Sequence, residues 1–184
     1  MDELKSAWEI AQERVDRLGK LSSDEKAQQE TQRYRQIGQA LARKWLDSSR
    51  QADIRAELSQ QEAEGREAIR QAIVHHLVES VDITSTPSAD SATGILEAIS
   101  TLEPHLKPRV EETARLLRDY EQAEAQLRQE FEAEYRQVLH QMRISGSAVG
   151  AINLEPDERW QQARGALLAE FGTALQDLKQ KLLD

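Results

Sequence analysis

Cysteine is absent from this chain of 184 residues. Disulfides, zinc fingers, thiolate nucleophiles and cysteine-ligated iron–sulfur clusters are thereby excluded together. Aromatic residues make up 4% of the sequence, and eight Gly and four Pro leave few places for a sharp turn. No apolar run approaches the roughly 20 residues that a membrane-spanning helix needs. The opening Met1-Asp2-Glu3-Leu4-Lys5 lacks the basic start, apolar core and cleavage site of a secretory signal, so a cytoplasmic protein is expected. Basic residues are outnumbered, 24 Lys and Arg against 33 Asp and Glu, and the net charge of −9 disfavours non-specific nucleic-acid binding.

Ala, Glu, Gln, Leu and Arg dominate what is present, a mix suited to long helices with narrow apolar seams. Leu4, Trp8, Ala11, Val15 and Leu18 form one strip of a first helix over Asp2–Leu18. Ser22 and Glu25 offer a capping box for a second helix, which runs to Leu46 with Tyr34, Ile37, Leu41 and Trp45 on one face. A third spans Arg50–Val81, and a break is expected near Gly65, because glycine inside a helix costs about 1 kcal/mol relative to alanine. Asp82–Asp90 reads as a loop, and Ser91–Leu102 as a short helix with Ile95, Leu96, Ile99 and Leu102 inward.

The last 80 residues carry the clearest pattern. Val110, Ala114, Leu117, Tyr120, Leu127, Phe131, Tyr135, Val138 and Met142 fall mostly three or four apart, as do Trp160, Leu167, Phe171, Leu175, Leu178 and Leu182. Each stripe keeps one side chain per turn on one face and must lay that face against another helix. The first implies a helix from Pro108 to Arg143, about 54 Å at 1.5 Å per residue. Glu111–Arg115, Glu124–Arg128 and Glu132–Arg136 would support it as pairs four apart. The second helix is expected to start at Pro156. A start so close to the Arg143 end would let it cover the distal part of the long helix and leave the Pro108 end to the N-terminal helices. The expected fold is all-α, with a base of short helices over 1–106 and a long antiparallel two-helix coiled-coil arm over 107–184, the two expected to form one continuous structural unit.

Chemistry is not concentrated anywhere. His75 and His76 point about 100° apart on a helix, so both cannot face one metal, although either could meet Glu79. No Glu lies three residues before any His, as a helical di-iron site requires. Ser145–Gly150 looks like a phosphate loop but lacks the preceding strand and the following Gly-Lys-Ser/Thr. No nucleophile elbow or His-Glu-x-x-His motif is present. The expectation is a protein without catalytic residues, metal or cofactor.

Two surfaces remain as candidates for binding. Thr31–Arg55 holds six basic residues and two acids, a net +4 that leaves −13 for the rest of the chain. Arg33, Arg35, Arg43, Lys44 and Trp45 are its candidate contacts, for nucleic acid or a ribosome. Leu116, Leu139, Leu168 and Leu183 lie off the two stripes, and Val149 and Ile152 in the connection between them. These six are candidate contacts for a protein partner or a second copy, and association of this kind is the leading expectation.

Several strings carry a resemblance. They are Leu4-Lys5-Ser6-Ala7-Trp8-Glu9-Ile10-Ala11 with Leu18-Gly19-Lys20, Gly38-Gln39-Ala40-Leu41-Ala42-Arg43-Lys44-Trp45-Leu46, Tyr120-Glu121-Gln122, Leu127-Arg128-Gln129-Glu130-Phe131, and Leu154-Glu155-Pro156-Asp157. Together they resemble an uncharacterised bacterial family of small all-helical proteins, a domain of unknown function. The resemblance implies an all-helical bacterial protein and supplies no activity, cofactor or site.

Overall fold

A computed structural model describes residues 23–48, 53–83, 88–144 and 150–184, and these are helical with no strand among them. In chain order the helices are α1 (Ser23–Asp47), α2 (Ile54–Ser59), α3 (Arg66–Ser80), α4 (Ser88–Leu102), α5 (Lys107–Gln141) and α6 (Glu158–Leu183), with a 3₁₀ turn at Pro104–Leu106. The expected helix over Asp2–Leu18 and the Ser22 half of the capping box lie outside the described residues. The chain forms two compact units, Met1–Ile73 and Val74–Asp184, and the boundary between them falls within α3.

In the first unit, α1 turns Gly38, Ala42 and Trp45 inward, and Ile54, Leu58, Ile69 and Ile73 complete the buried set. The polar turns from Glu25 to Arg33 are exposed, as a face without apolar residues must be. The break expected near Gly65 is present, and it separates α2 from α3. Asp53 caps α2, its Oδ1 accepting from the amides of Arg55 and Ala56 at 2.9 and 3.3 Å. Beyond α2, the Arg66 guanidinium donates to the carbonyls of Ser59 and Gln61 at 3.1 and 2.9 Å. Gly65 sits where it does for lack of a side chain: a Cβ there would lie 2.1 Å from Cε1 of Tyr34. Gly38 similarly lets α1 approach α3, where a Cβ would meet that of Ala72 at 2.5 Å.

The second unit is built on α5. Ile95, Leu96, Ile99 and Leu102 of α4 are all buried, as their spacing requires, and α4 packs against α5. It starts three residues earlier than expected, because Ser88-Ala89-Asp90 contains neither Gly nor Pro to stop a helix growing back toward Pro87. Pro104 opens the 3₁₀ turn and Pro108 sits in the first turn of α5, where its missing N–H costs nothing. Thr113, off the apolar stripe, is fully buried because its Oγ1 donates back to the Arg109 carbonyl at 2.9 Å. At this same end of α5, Lys179 of α6 donates to the Glu79 carbonyl at 3.1 Å and so serves the end of α3.

Candidate interaction site at the end of the long helix

Four contacts set the register between α5 and α6. Tyr120 meets Phe171 edge to face with ring centroids 5.6 Å apart, and Phe131 meets Trp160 at 5.7 Å. Between them, Arg164 Nε donates to Glu124 at 2.7 Å. Past them, the Tyr135 hydroxyl donates to the Asp157 carboxylate. Each turn forward on α5 is met by a turn backward on α6, so the two helices run antiparallel. Carried to the end of α6, the same register brings buried Leu182 level with the first turns of α5, where Val110 is buried too.

This register overturns the expected coverage. The Pro108 end of α5 is the covered one, and the distal end outruns its partner. The reason lies in the connection. Leu154 is 1% exposed, Asn153 accepts from the Glu155 amide at 3.1 Å, and Asp157 donates its own amide to the Leu154 carbonyl. These turns set α6 back by several residues, so that it begins beside Phe131 and Tyr135. Asp157, not Pro156, starts the helix, accepting through Oδ1 from the amides of Arg159 and Trp160 at 2.7 and 3.3 Å.

Polar groups close the seam where α6 begins. Arg159 forks onto Glu134 with two bonds of 2.9 and 2.8 Å and lies over the Phe131 ring. Arg128 lies 5.3 Å from the centre of the Trp160 ring. Of the three expected pairs four apart, Glu132–Arg136 forms at 2.8 Å, whereas Glu124 turns to Arg164 on the facing helix. The hydrogen bond from Tyr135 and the two helix amides hold Asp157 below the usual carboxylate range. The Arg159 fork does the same for Glu134, and the bond to Asp157 raises the Tyr135 phenol.

Beyond this closure the stripe continues uncovered. Tyr135 is 38% exposed, Val138 47%, Met142 65% and Ile144 39%. Tyr135, Val138 and Met142 belong to the seam in sequence, yet no helix of the described residues lies over them. The helix ends here in a paired-carbonyl cap. Ile144 donates its amide to the Leu139 carbonyl at 2.9 Å and Arg143 to that of His140 at 3.0 Å. That pattern puts Arg143 at the left-handed position, with φ of 62°.

The residues singled out from sequence are dispersed. Arg33, Arg35 and Arg43 are exposed on α1, and Lys44 pairs with Glu57 at 2.7 Å. Trp45 is only 6% exposed and packs inside its unit, which corrects its place among surface contacts: it occupies the face of α1 that Ala42 shares. Leu116, Leu139, Ile152 and Leu168 are half-buried, and Leu183 is exposed at the far end of α6. Val149 lies outside the described residues. His75 approaches Glu79 at 3.5 Å and His105 approaches Glu103 at 3.3 Å, and no group of three metal-ligating side chains occurs among the described residues. No helix among them is long and apolar enough to cross a membrane.

A family of unknown function, DUF6657, matches residues 55–184. The chain belongs to this family. The match takes in all of α5 and α6, with the strings Tyr120-Glu121-Gln122, Leu127–Phe131 and Leu154–Asp157 that carried the resemblance, and the earlier strings precede it. No curated protein and no solved structure matches the chain.

Proposed function

We propose that this protein is a non-enzymatic interaction or assembly protein, whose α5–α6 pair acts as a coiled-coil hairpin and takes a protein partner at the distal end of α5. One observation carries the reading: the apolar stripe outlasts the helix that covers it. Tyr135, Val138 and Met142 stand exposed in a row where the polar closure at Glu134–Arg159 stops, and Ile144 is exposed just past the helix end. Single exposed apolar side chains need no explanation, but a continuous row along one helix face marks a surface that another helix can bury. Docking of nucleic acid or a ribosome through the basic stretch has less to rest on, since Lys44 is neutralised by Glu57 and Trp45 is inside.

The test is a photo-cross-linking amino acid placed in the full chain at Val138, with the exposed Gln176 of α6 as control, activated in growing cells. Adducts at Val138, to this protein or to another, are the expected result. No adduct above the Gln176 background would overturn the reading.

A further inference from the structure

The exposed row is complementary to itself when one copy is reversed, and this decides between occupants. We infer that a second copy of this chain covers it, with the distal ends of two α5 helices packed antiparallel about a two-fold axis beside Val138. The inference rests on the association reading above and names its partner.

The apolar spacing comes first. Tyr135, Val138 and Met142 are separated by three and four residues, so they share a face of α5. Reversal about Val138 sets the Tyr135 ring of each copy opposite the Met142 thioether of the other, a favourable contact of sulfur with an aromatic ring. Val138 meets Val138 at the axis, and an isologous contact of this kind closes after two copies.

Charge selects the direction. Acids precede the row at Glu130, Glu132 and Glu134, and Asp157 and Glu158 begin α6 at the same level, with Arg159 beside them on Glu134. Bases accompany its later part at Arg136, His140 and Arg143. A parallel arrangement would stack Glu130, Glu132 and Glu134 against their own copies. The antiparallel one brings Glu134, with its partner Arg159, level with Arg143 of the second copy and sets Arg136 beside His140, so what it relieves is the stacking of carboxylate on carboxylate. Glu132 and Glu134 already hold Arg136 and Arg159, so these rim charges choose orientation more than they add affinity. Arg143 adds a further point. Its left-handed backbone favours glycine, and a guanidinium there places positive charge at the basic end of the row.

A contact of three or four side chains per copy is small, so a transient dimer is expected. The chain lacks cysteine, which makes single substitutions specific reporters. On mild oxidation of the full chain, Val138→Cys should form a disulfide between copies, and Met142→Cys alone should not. An equimolar mixture of Tyr135→Cys and Met142→Cys chains should cross-link to each other, and Gln176→Cys sets the background. Light scattering of the unsubstituted protein should show mass rising toward twice the monomer with concentration. Val138→Lys should weaken that association at least tenfold with unchanged circular dichroism, because Val138 is half exposed in the monomer. Self-cross-linking of Met142→Cys as fast as Val138→Cys would overturn the antiparallel arrangement. A strict monomer whose Val138→Cys form links no faster than background would overturn the second copy. If that monomer still yields an adduct to a different protein at Val138 in cells, the association reading stands and only its assigned partner fails.

Discussion

Tyr135 donates its hydroxyl to the Asp157 carboxylate at 2.5 Å, joining the uncovered end of the long helix to the residue that caps the next one. The same carboxylate accepts from two amides at the start of α6, so one side chain fixes both where α6 begins and where it meets α5. Asp157→Ala should lower the melting temperature by a few degrees, and Tyr135→Phe by less, since the phenol is partly exposed. Thermal unfolding followed at 222 nm measures both. Equal, negligible shifts would mean that the cap is redundant.

The acid limb of stability should report the same carboxylate. Tyr135 and the α6 amides depress the Asp157 pKa in the folded state, so its contribution is complete above the unfolded value of about 3.9 and is lost as pH falls through the folded value. Glu134, held by Arg159, acts in the same direction. Urea midpoints measured from neutral pH downward should fall below about pH 4 for the unsubstituted chain, with a smaller fall for Asp157→Asn. Parallel pH profiles for the two would remove Asp157 from the account.

Four glycines separate by what surrounds them. A Cβ on Gly38 would press on Ala72 and on the Ile69 carbonyl at 2.7 Å, which is backbone and cannot step aside. Gly38→Ala should therefore destabilise by about 1–3 kcal/mol, the usual range for overpacking. Gly65→Ala would displace the Tyr34 ring and should be partly rescued by Tyr34→Ala. Gly165 and Gly172 face open space within α6, so alanine at either should stabilise by about 0.5–1 kcal/mol through helix propensity alone. Chemical denaturation distinguishes the signs directly.

Arg143→Gly should stabilise the monomer by about 1 kcal/mol, because glycine adopts the left-handed conformation without the penalty of a Cβ. It should also weaken self-association slightly by removing a rim charge. Stability gained together with association lost, read by denaturation and light scattering on one sample, is the expected pattern.

Trp160 is fully buried, and its Nε1 finds no acceptor among the described residues. Trp160→Ala should cost about 3–5 kcal/mol for the cavity left at the start of α6. Trp160→Phe should cost distinctly less, since it keeps an edge for Phe131 and deletes an N–H that gains nothing from burial. Similar losses for both variants would point to a hydrogen bond at Nε1 that matters.

Local signals in the chain determined much of this protein. Three- and four-residue spacing was enough to place α4, α5 and α6, because an apolar stripe can be buried only if the backbone adopts the helical period. Pro108 and Gly65 marked a start and a break for reasons that each residue carries with it. The absence of cysteine excluded whole classes of chemistry at once. Tertiary structure alone decided the rest. A stripe states that a face needs a partner and says nothing of how far that partner slides along it. The slide was set by Leu154, Asn153 and Asp157, three residues of a connection with no periodicity, and it reversed which end of α5 is covered. Glu124 could have paired along its own helix with Arg128, and the facing Arg164 was reached instead once the register was set. Trp45, apolar and directly after the basic pair Arg43 and Lys44 in sequence, went inside because α1 turns that face to its neighbours. Tyr135, Val138 and Met142 were legible as seam; that they are the part left open follows only from where α6 begins.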